Sequence, residues 1–327
     1  MSSGSPSQKK QPSLAAIWAG MFAIYVFWGS TYLAIHYAVE TIPPFFMAGA
    51  RFLIAGSILF VYRLLAGDPL PIRQEWRSAW IIGWFLLMGG NGGVVWAEQF
   101  VPSSIAALII GTVPLWMVLI DALRPGGNQP DVKAFLGVGI GFLGIVVLFW
   151  PFNGNSGSTG QEANLLGSIV LLLAAISWAT GSLISRKARL PESPLMGSAM
   201  EMLIGGSGLV LLGLAVGEAN QLNLSRISWQ SEAGITYLIF FGSLAGFTAY
   251  TWLLRVAPTS LVSTYAYVNP LVAVVLGYFI ASEPITIRTL LAATVILGSV
   301  VLISRINSQS QPAWLRHEPD PGAAAED

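Results

Sequence analysis

The sequence predicts an all-α integral membrane protein, with ten transmembrane helices arranged as two inverted five-helix repeats around a central cavity. Three observations predict it. Apolar side chains fill 54% of the 327 positions and charged ones only 10%. Ten apolar stretches are each long enough to cross a bilayer, and residues of the first half return in the same order in the second. So little charge cannot cover a water-facing globule of this size, and lipid must cover the remainder.

Crossing ~30 Å of hydrocarbon takes about 20 apolar residues. The first half offers Leu14–Val39, Phe45–Leu65, Ser78–Phe100, Ser104–Leu123 and Ala134–Phe152. The second offers Leu165–Ser185, Leu195–Val216, Ala233–Leu254, Leu261–Ala281 and Ile287–Ile303. Lys9 and Lys10 ahead of the first stretch resemble the start of a signal peptide. The run is long enough to span, however, and lacks a small-x-small cleavage site, so a retained helix is expected. The repeats then occupy residues 14–155 and 156–306. Residues 1–13 and the Pro-rich, acidic-ended segment 307–327 read as disordered cytoplasmic tails.

Basic residues accumulate on the cytoplasmic side of membrane proteins. With the amino terminus inside, Lys9, Lys10, Arg63, Arg73, Arg77, Arg124, Lys133, Arg186, Lys187, Arg189, Arg255, Arg305 and Arg316 all fall inside. Only Arg226 and Arg288 fall outside, and Arg51 lies within a span. Adding or removing one early helix destroys this bias, so the charges predict a multi-pass protein of the cell inner membrane with both termini cytoplasmic.

At an offset of 150, Trp28, Leu33, Pro44, Leu53, Ile54, Gly56 and Ser57 meet Trp178, Leu183, Pro194, Leu203, Ile204, Gly206 and Ser207. At 156, Trp96, Pro102, Ser104, Pro114 and Leu115 meet Trp252, Pro258, Ser260, Pro270 and Leu271. At 154, Pro130, Gly144 and Val146 meet Pro284, Gly298 and Val300. A repeat with an odd number of spans makes its successor enter the membrane in the opposite sense. An inverted pair can exchange inward-open and outward-open shapes by swapping the conformations of its halves.

Other function classes lose support. The 16 basic and 16 acidic residues balance, which removes the footprint of a nucleic-acid binder. There is no cysteine and there are only two histidines, His36 and His317, so no multi-imidazole zinc site can be assembled, and no cofactor is expected. No G-x-x-x-x-G-K-[ST] loop supports an ATPase. A membrane-embedded lipid- or metabolite-modifying enzyme is the alternative, and it would need a reactive cluster that the sequence does not display. Scattered acids such as Asp121 and Glu98 leave that alternative open.

The ordered set Trp28-Gly29-Ser30-Thr31-Tyr32, Pro44 with Arg51, Pro102 and Pro114, Pro258, Tyr267-Val268-Asn269-Pro270 and Glu283 resembles the EamA-type permeases of the drug/metabolite transporter superfamily. Among these it is most similar to the YedA-like bacterial inner-membrane permeases. The likeness runs from about Leu14 to Ile303. It implies a ten-helix carrier that exports or exchanges amino acids, related metabolites or toxic analogues, and it marks Ser30 and Tyr32 beside Trp28 as candidate substrate contacts. A carrier of phosphorylated sugars would line its cavity with several Lys or Arg. Only Arg51 lies within a span, so neutral, zwitterionic or cationic solutes fit better.

Pro114 and Pro270 are repeat equivalents near mid-span, where a helix breaker persists beside protein or a wet cavity. Helices four and nine are expected to border the cavity, the alternative being a packing kink. Gly89-Gly90-Asn91-Gly92-Gly93 lies mid-span in helix three, each glycine lowering helix stability by roughly 0.8–1.0 kcal/mol. Two readings stay open there: local unwinding that offers backbone and Asn91 to substrate, or close helix packing through small residues. Asn91, Val95 and Glu98 share a face, as do Tyr265 and Asn269, and Gly246 and Tyr250. Trp28 and Trp178 form either cavity walls that stack substrate or plain core. Trp96 and Trp252, nearer span ends, suit interfacial anchoring.

Arg51 and Glu201 are repeat equivalents of opposite sign, each costing at least ~2.5–3.5 kcal/mol at mid-bilayer. Inversion places each ~9 Å deep from opposite sides, leaving a gap of roughly 12 Å in a ~30 Å core. A direct salt bridge is therefore not expected; each should meet carbonyls, polar side chains or water on its own side. Arg51, Glu98 and Glu201 are candidates for gating, and Glu201 for carrying a coupling proton. Gly137, Gly139, Gly141 and Gly144 form a small-residue stripe on helix five, suited either to packing of helices five and ten or to a homodimer contact through them.

Overall fold

The computed structural model describes residues 13–125, 132–149, 164–262 and 264–309. Both expected tails lie almost wholly outside the described residues. Within them the chain is helical and no strand occurs. The helices are α1 (Leu14–Ala38), α2 (Pro44–Leu65), α3 (Arg73–Ala97), α4 (Ser103–Leu123), α5 (Val132–Phe149), α6 (Leu165–Ser185), α7 (Pro194–Ala215), α8 (Trp229–Val256), α9 (Tyr265–Ile280) and α10 (Ile287–Gln309). Seven of them, α1 to α4 and α6 to α8, are long and apolar enough to cross a membrane. The apolar stretches Phe135–Val147, Val268–Ile280 and Ile287–Leu302 are shorter. One turn, Thr259–Val262, precedes α9 separately, which shortens that stretch.

Side chains decide where the helices begin. Ser13, Asn164, Ser193 and Ser228 each accept an N–H from the first turn of the helix they precede, satisfying donors that have no intrahelical partner. Two other helix starts are tied down from a distance. Glu218, after α7, accepts from Phe45 N at 3.1 Å and Phe46 N at 2.9 Å at the start of α2. Asp68, after α2, is the repeat equivalent of Glu218, and Ser193 at the start of α7 acts on its carboxylate. Glu283 accepts from Ser103 N at 2.8 Å and Ser104 N at 3.0 Å at the start of α4.

Helices α2 and α7 pack antiparallel along their length, because glycine lets their backbones approach closely. A Cβ on Gly56 would stand 3.1 Å from Ala199 O and 3.1 Å from Leu203 N; one on Gly206 would stand 3.0 Å from Gly49 O and 2.9 Å from Leu53 N. Shifting the first set by 150 gives the second. Similarly α5 lies against α10, with Gly144 on Ile296. The stripe is thus consumed within the chain at Gly141 and Gly144, while Gly139 faces open space. No copy of the chain is needed to cover the first two. The remaining pairings also match across the halves: α1 packs on α8 and α9, as α6 packs on α3 and α4. Large apolar side chains such as Phe22, Leu65, Leu143 and Phe279 stand exposed around the outside, a belt that only lipid or another apolar surface would cover.

Helix α3 does not unwind at its glycines. It is π-helical over Trp84–Asn91, and α8 is π-helical over Leu238–Phe247, the equivalent stretch of the second half. Close packing is what the glycines permit: a Cβ on Gly92 would meet Leu209 at 2.7 Å and one on Gly93 would meet Ala174 at 2.8 Å. Side chains from α6 and α1 bond carbonyls of these stretches. Ser177 Oγ donates to Phe85 O at 2.7 Å, and Trp28 Nε1 donates to Gly242 O at 3.1 Å.

Candidate functional site

A cavity of about 640 Å³, its open mouth included, lies between α1, α2, α3, α4, α6, α8 and α9. It is lined by Trp28, Thr31, Tyr32, Ile35, Arg51, Phe52, Leu87, Gly90, Asn91, Val94, Ile110, Ala174, Trp178, Gly242, Phe247, Tyr265 and Asn269. The α1 residues come from its second half and those of α2 from its first half. The cavity is therefore displaced toward the end of the bundle that carries the 39–43 connection.

Its floor is aromatic. The Trp28 ring meets Trp178 at 5.4 Å, edge to face, and Tyr265 at 5.5 Å. Tyr250 lies beneath, 4.8 Å from Trp28 and 5.7 Å from Trp178, and Ser182 and Tyr250 share a hydroxyl bond of 2.7 Å. Each indole fits because a glycine of the opposite half supplies the space. A Cβ on Gly90 would be 2.9 Å from Trp178, and one on Gly246 2.5 Å from Trp28.

Below the floor the other end is packed shut. Met21, Ile24, Tyr250, Leu253, Val262, Tyr265 and Ala266 form one apolar cluster. Tyr25 and Thr264 bond across it at 2.5 Å, and the Ser198 and Thr251 hydroxyls bond each other.

The walls carry few polar groups, each positioned by local structure. Pro114 has no N–H to return to Ile110, so α4 breaks between Ser103–Ile110 and Val113–Leu123. Thr112 Oγ1 takes up the Ile109 carbonyl at 2.6 Å. Pro270 likewise frees the carbonyl of Ala266, and a Cβ on Gly111 would stand 2.9 Å from that oxygen. The break in α4 thus faces the carbonyl that Pro270 frees inside a continuous α9, beside the cavity. The carbonyls of Ile24, Tyr25 and Tyr265 surround one end of the Asn269 amide at 3.1–3.2 Å, so the amide satisfies them, and ties α9 to α1, when its nitrogen is assigned to that end. Asn91 Oδ1, Trp178 Nε1 and the Tyr265 hydroxyl have no hydrogen-bond partner among the described residues.

Of the residues singled out from sequence, Trp28, Tyr32, Arg51, Asn91, Trp178, Tyr265 and Asn269 line the cavity. Pro114, Pro270 and Tyr250 are buried behind it. Ser30 turns away, bonding Val26 O at 2.8 Å and the Tyr237 hydroxyl at 2.6 Å, which links α1 to α8. Glu98 is 3% exposed and outside the lining, and neither carboxylate oxygen has a hydrogen-bond partner among the described residues. Trp252 packs against Gly20 and Leu253 rather than standing free at a helix end.

Arg51 and Glu201 do not pair. Arg51 is acted on electrostatically by Glu98 and Glu201 by Arg255. The carbonyls and polar side chains expected around Arg51 are absent from its Nε and Nη1, which have no hydrogen-bond partner among the described residues; the guanidinium lies 4.2 Å over the Phe52 ring instead. Reasoning from sequence missed Thr31, Ile35, Phe52, Leu87, Val94, Ile110, Ala174 and Phe247. In a chain this apolar a cavity-facing aliphatic residue has the same sequence signature as a lipid-facing one.

A helical bundle with an apolar outer belt and a cavity between its halves defines a multi-pass membrane transporter. The chain belongs to the EamA-like transporter family, whose model matches residues 14–150 and 165–305, one copy in each half. It is 39% identical over 293 residues to the uncharacterized inner membrane transporter YedA of Escherichia coli K12, covering 89% of this chain and 91% of the relative. It is 26% identical over 296 residues to a WAT1-related chloroplastic protein of Arabidopsis thaliana, covering 88% and 69%. A solved crystal structure superimposes with a TM-score of 0.65 at 20% identity, over 92% of this chain and all of that one, which is a likeness of fold.

Proposed function

We propose that the chain is a secondary carrier in the cell inner membrane, exporting or exchanging small neutral, zwitterionic or cationic metabolites such as amino acids by alternating access. The observation that carries this reading is the cavity itself, lined from both halves and lying above an end that is packed shut. The ten helices then act as ten crossings in two inverted repeats. That arrangement is supported by the antiparallel glycine contacts of α2 with α7, which superimpose on themselves under the offset of 150. It is also supported by the paired π-helical stretches. With basic loops cytoplasmic, both termini are inside and the cavity faces outward. Trp28, Trp178 and Tyr265 supply a surface for the apolar or aromatic body of a solute, with Tyr32, Asn91 and Asn269 around it. Arg51 and Glu98 sit toward the open end, and Glu201 toward the closed one.

Purified protein in liposomes, offered a panel of amino acids and aromatic cations, should give flux that saturates with concentration. Absence of saturable flux across the panel, or a chemical product without flux, would overturn the carrier reading.

A further inference from the structure

Arg51 and Glu201 occupy equivalent places in the two halves yet stand in opposite situations. Arg51 is on the cavity wall, with no hydrogen-bond partner for Nε and Nη1 among the described residues. Glu201 is 1% exposed, off the cavity, with Oε2 unpartnered. A buried charge without a partner is costly, so neither group is explained by packing alone. Each has a distant opposite charge at its own end, and the signs are reversed: Glu98 for Arg51 on the side of the opening, Arg255 for Glu201 on the closed side.

Exchanging the conformations of the halves carries each lining residue to its equivalent. Trp28 and Trp178 trade places, and so do Gly90 and Gly246, so the indole pair of the floor survives the exchange. The wall does not survive it, because Arg51 is replaced by Glu201. We propose that Glu201 is a substrate-binding charge of the state that opens to the other end, standing where Arg51 stands in this one. The cargo is then a zwitterion, with a carboxylate for Arg51 on one side and an ammonium group for Glu201 on the other. A simple anion meets a like charge in the second state and a simple cation meets one in the first, so both are rejected by repulsion.

This inference rests on the alternating-access reading, and the test separates the two. Wild type, Arg51→Gln, Glu201→Gln and Glu201→Asp are reconstituted in liposomes of known orientation. Initial rates are measured with L-leucine, L-phenylalanine or L-threonine applied to either face. The expected result is a KM raised about tenfold or more by Arg51→Gln for solute on the face of the opening only, and by Glu201→Gln on the opposite face only. Glu201→Asp should restore most of the second loss, which a variant that merely misfolds would not show. Phenethylamine and 3-phenylpropionate, lacking one charge each, should be poor substrates of the wild type. Wild-type flux with a Glu201→Gln effect equal on both faces, or none, overturns this inference and leaves the carrier. Absence of saturable wild-type flux overturns both.

Discussion

A methyl group added to Gly90 or Gly246 would strike an indole ring, at 2.9 Å and 2.5 Å respectively, and those indoles are the floor of the cavity. Overpacking of this kind costs about 1–3 kcal/mol when side chains must shift. Gly90→Ala and Gly246→Ala should therefore lower the unfolding temperature in detergent, followed by tryptophan fluorescence, and should perturb the emission of the folded state. Gly139→Ala is the contrast, because open space surrounds it. There the helix gains up to about 1 kcal/mol of propensity and loses nothing, so its melting point should hold or rise. Equal losses at all three positions would mean that glycine serves only backbone freedom here. The Trp28 and Trp178 equivalence was legible in the sequence because tryptophan is scarce enough for a match to carry information. The glycines beneath them were not, since a run of 35 glycines scattered through the chain does not say which of them an indole covers.

Between residue and fold stand the caps that cross from one half to the other. Arg63 holds Asp68 through two bonds, Nε to Oδ2 at 2.8 Å and Nη2 to Oδ1 at 2.5 Å. Ser193 at the start of α7 also acts on the Asp68 carboxylate, from the other half. The hydrogen bond from Arg63 keeps the Asp68 carboxyl below its ordinary range. A carboxylate depressed in the folded state adds stability above its unfolded pKa of about 3.9, and that contribution is lost as the pH falls through the folded value. Asp68→Asn should remove this acid-sensitive part, so the variant's melting temperature should fall less steeply than that of the wild type below about pH 4. Parallel curves would rule out the contribution. The break in α4 and the carbonyl it faces in α9 make a second test at this scale. Gly111→Ala pushes a methyl to 2.9 Å from the Ala266 carbonyl, a backbone atom that cannot rotate away. It should destabilise more than Gly139→Ala in the same thermal assay, and an equal effect would mean that α4 and α9 can separate freely here. Pro114 and Pro270 were readable in advance, because a missing N–H acts wherever the residue falls. The π-helical stretches were not. They arise where α3 and α8 meet α6 and α1, and no local composition distinguishes an i→i+5 pattern from an ordinary apolar helix.

For the whole molecule, the order of helices and the family were legible because hydropathy and the repeat run the length of the chain. Which end is shut was not, since both halves carry the residues to seal it and only tertiary packing chooses. In the structure that choice falls on the cluster of Met21, Tyr250 and Leu253, reinforced by the bond between Ser198 on α7 and Thr251 on α8. Alternating access requires this seal to part in every cycle. Hydroxyl groups in hydrogen-bond contact place their Cβ atoms near the ~3.8 Å that a disulfide spans. The chain contains no cysteine, so Ser198→Cys combined with Thr251→Cys introduces a single pair. Oxidised, that pair should abolish flux in liposomes and leave solute binding from the open face intact; a reductant should restore transport. The single variants, which cannot cross-link, should transport with or without oxidant. Flux that persists while the disulfide is demonstrably closed would mean that this end never opens, and the cavity would then have to empty through the face by which it fills.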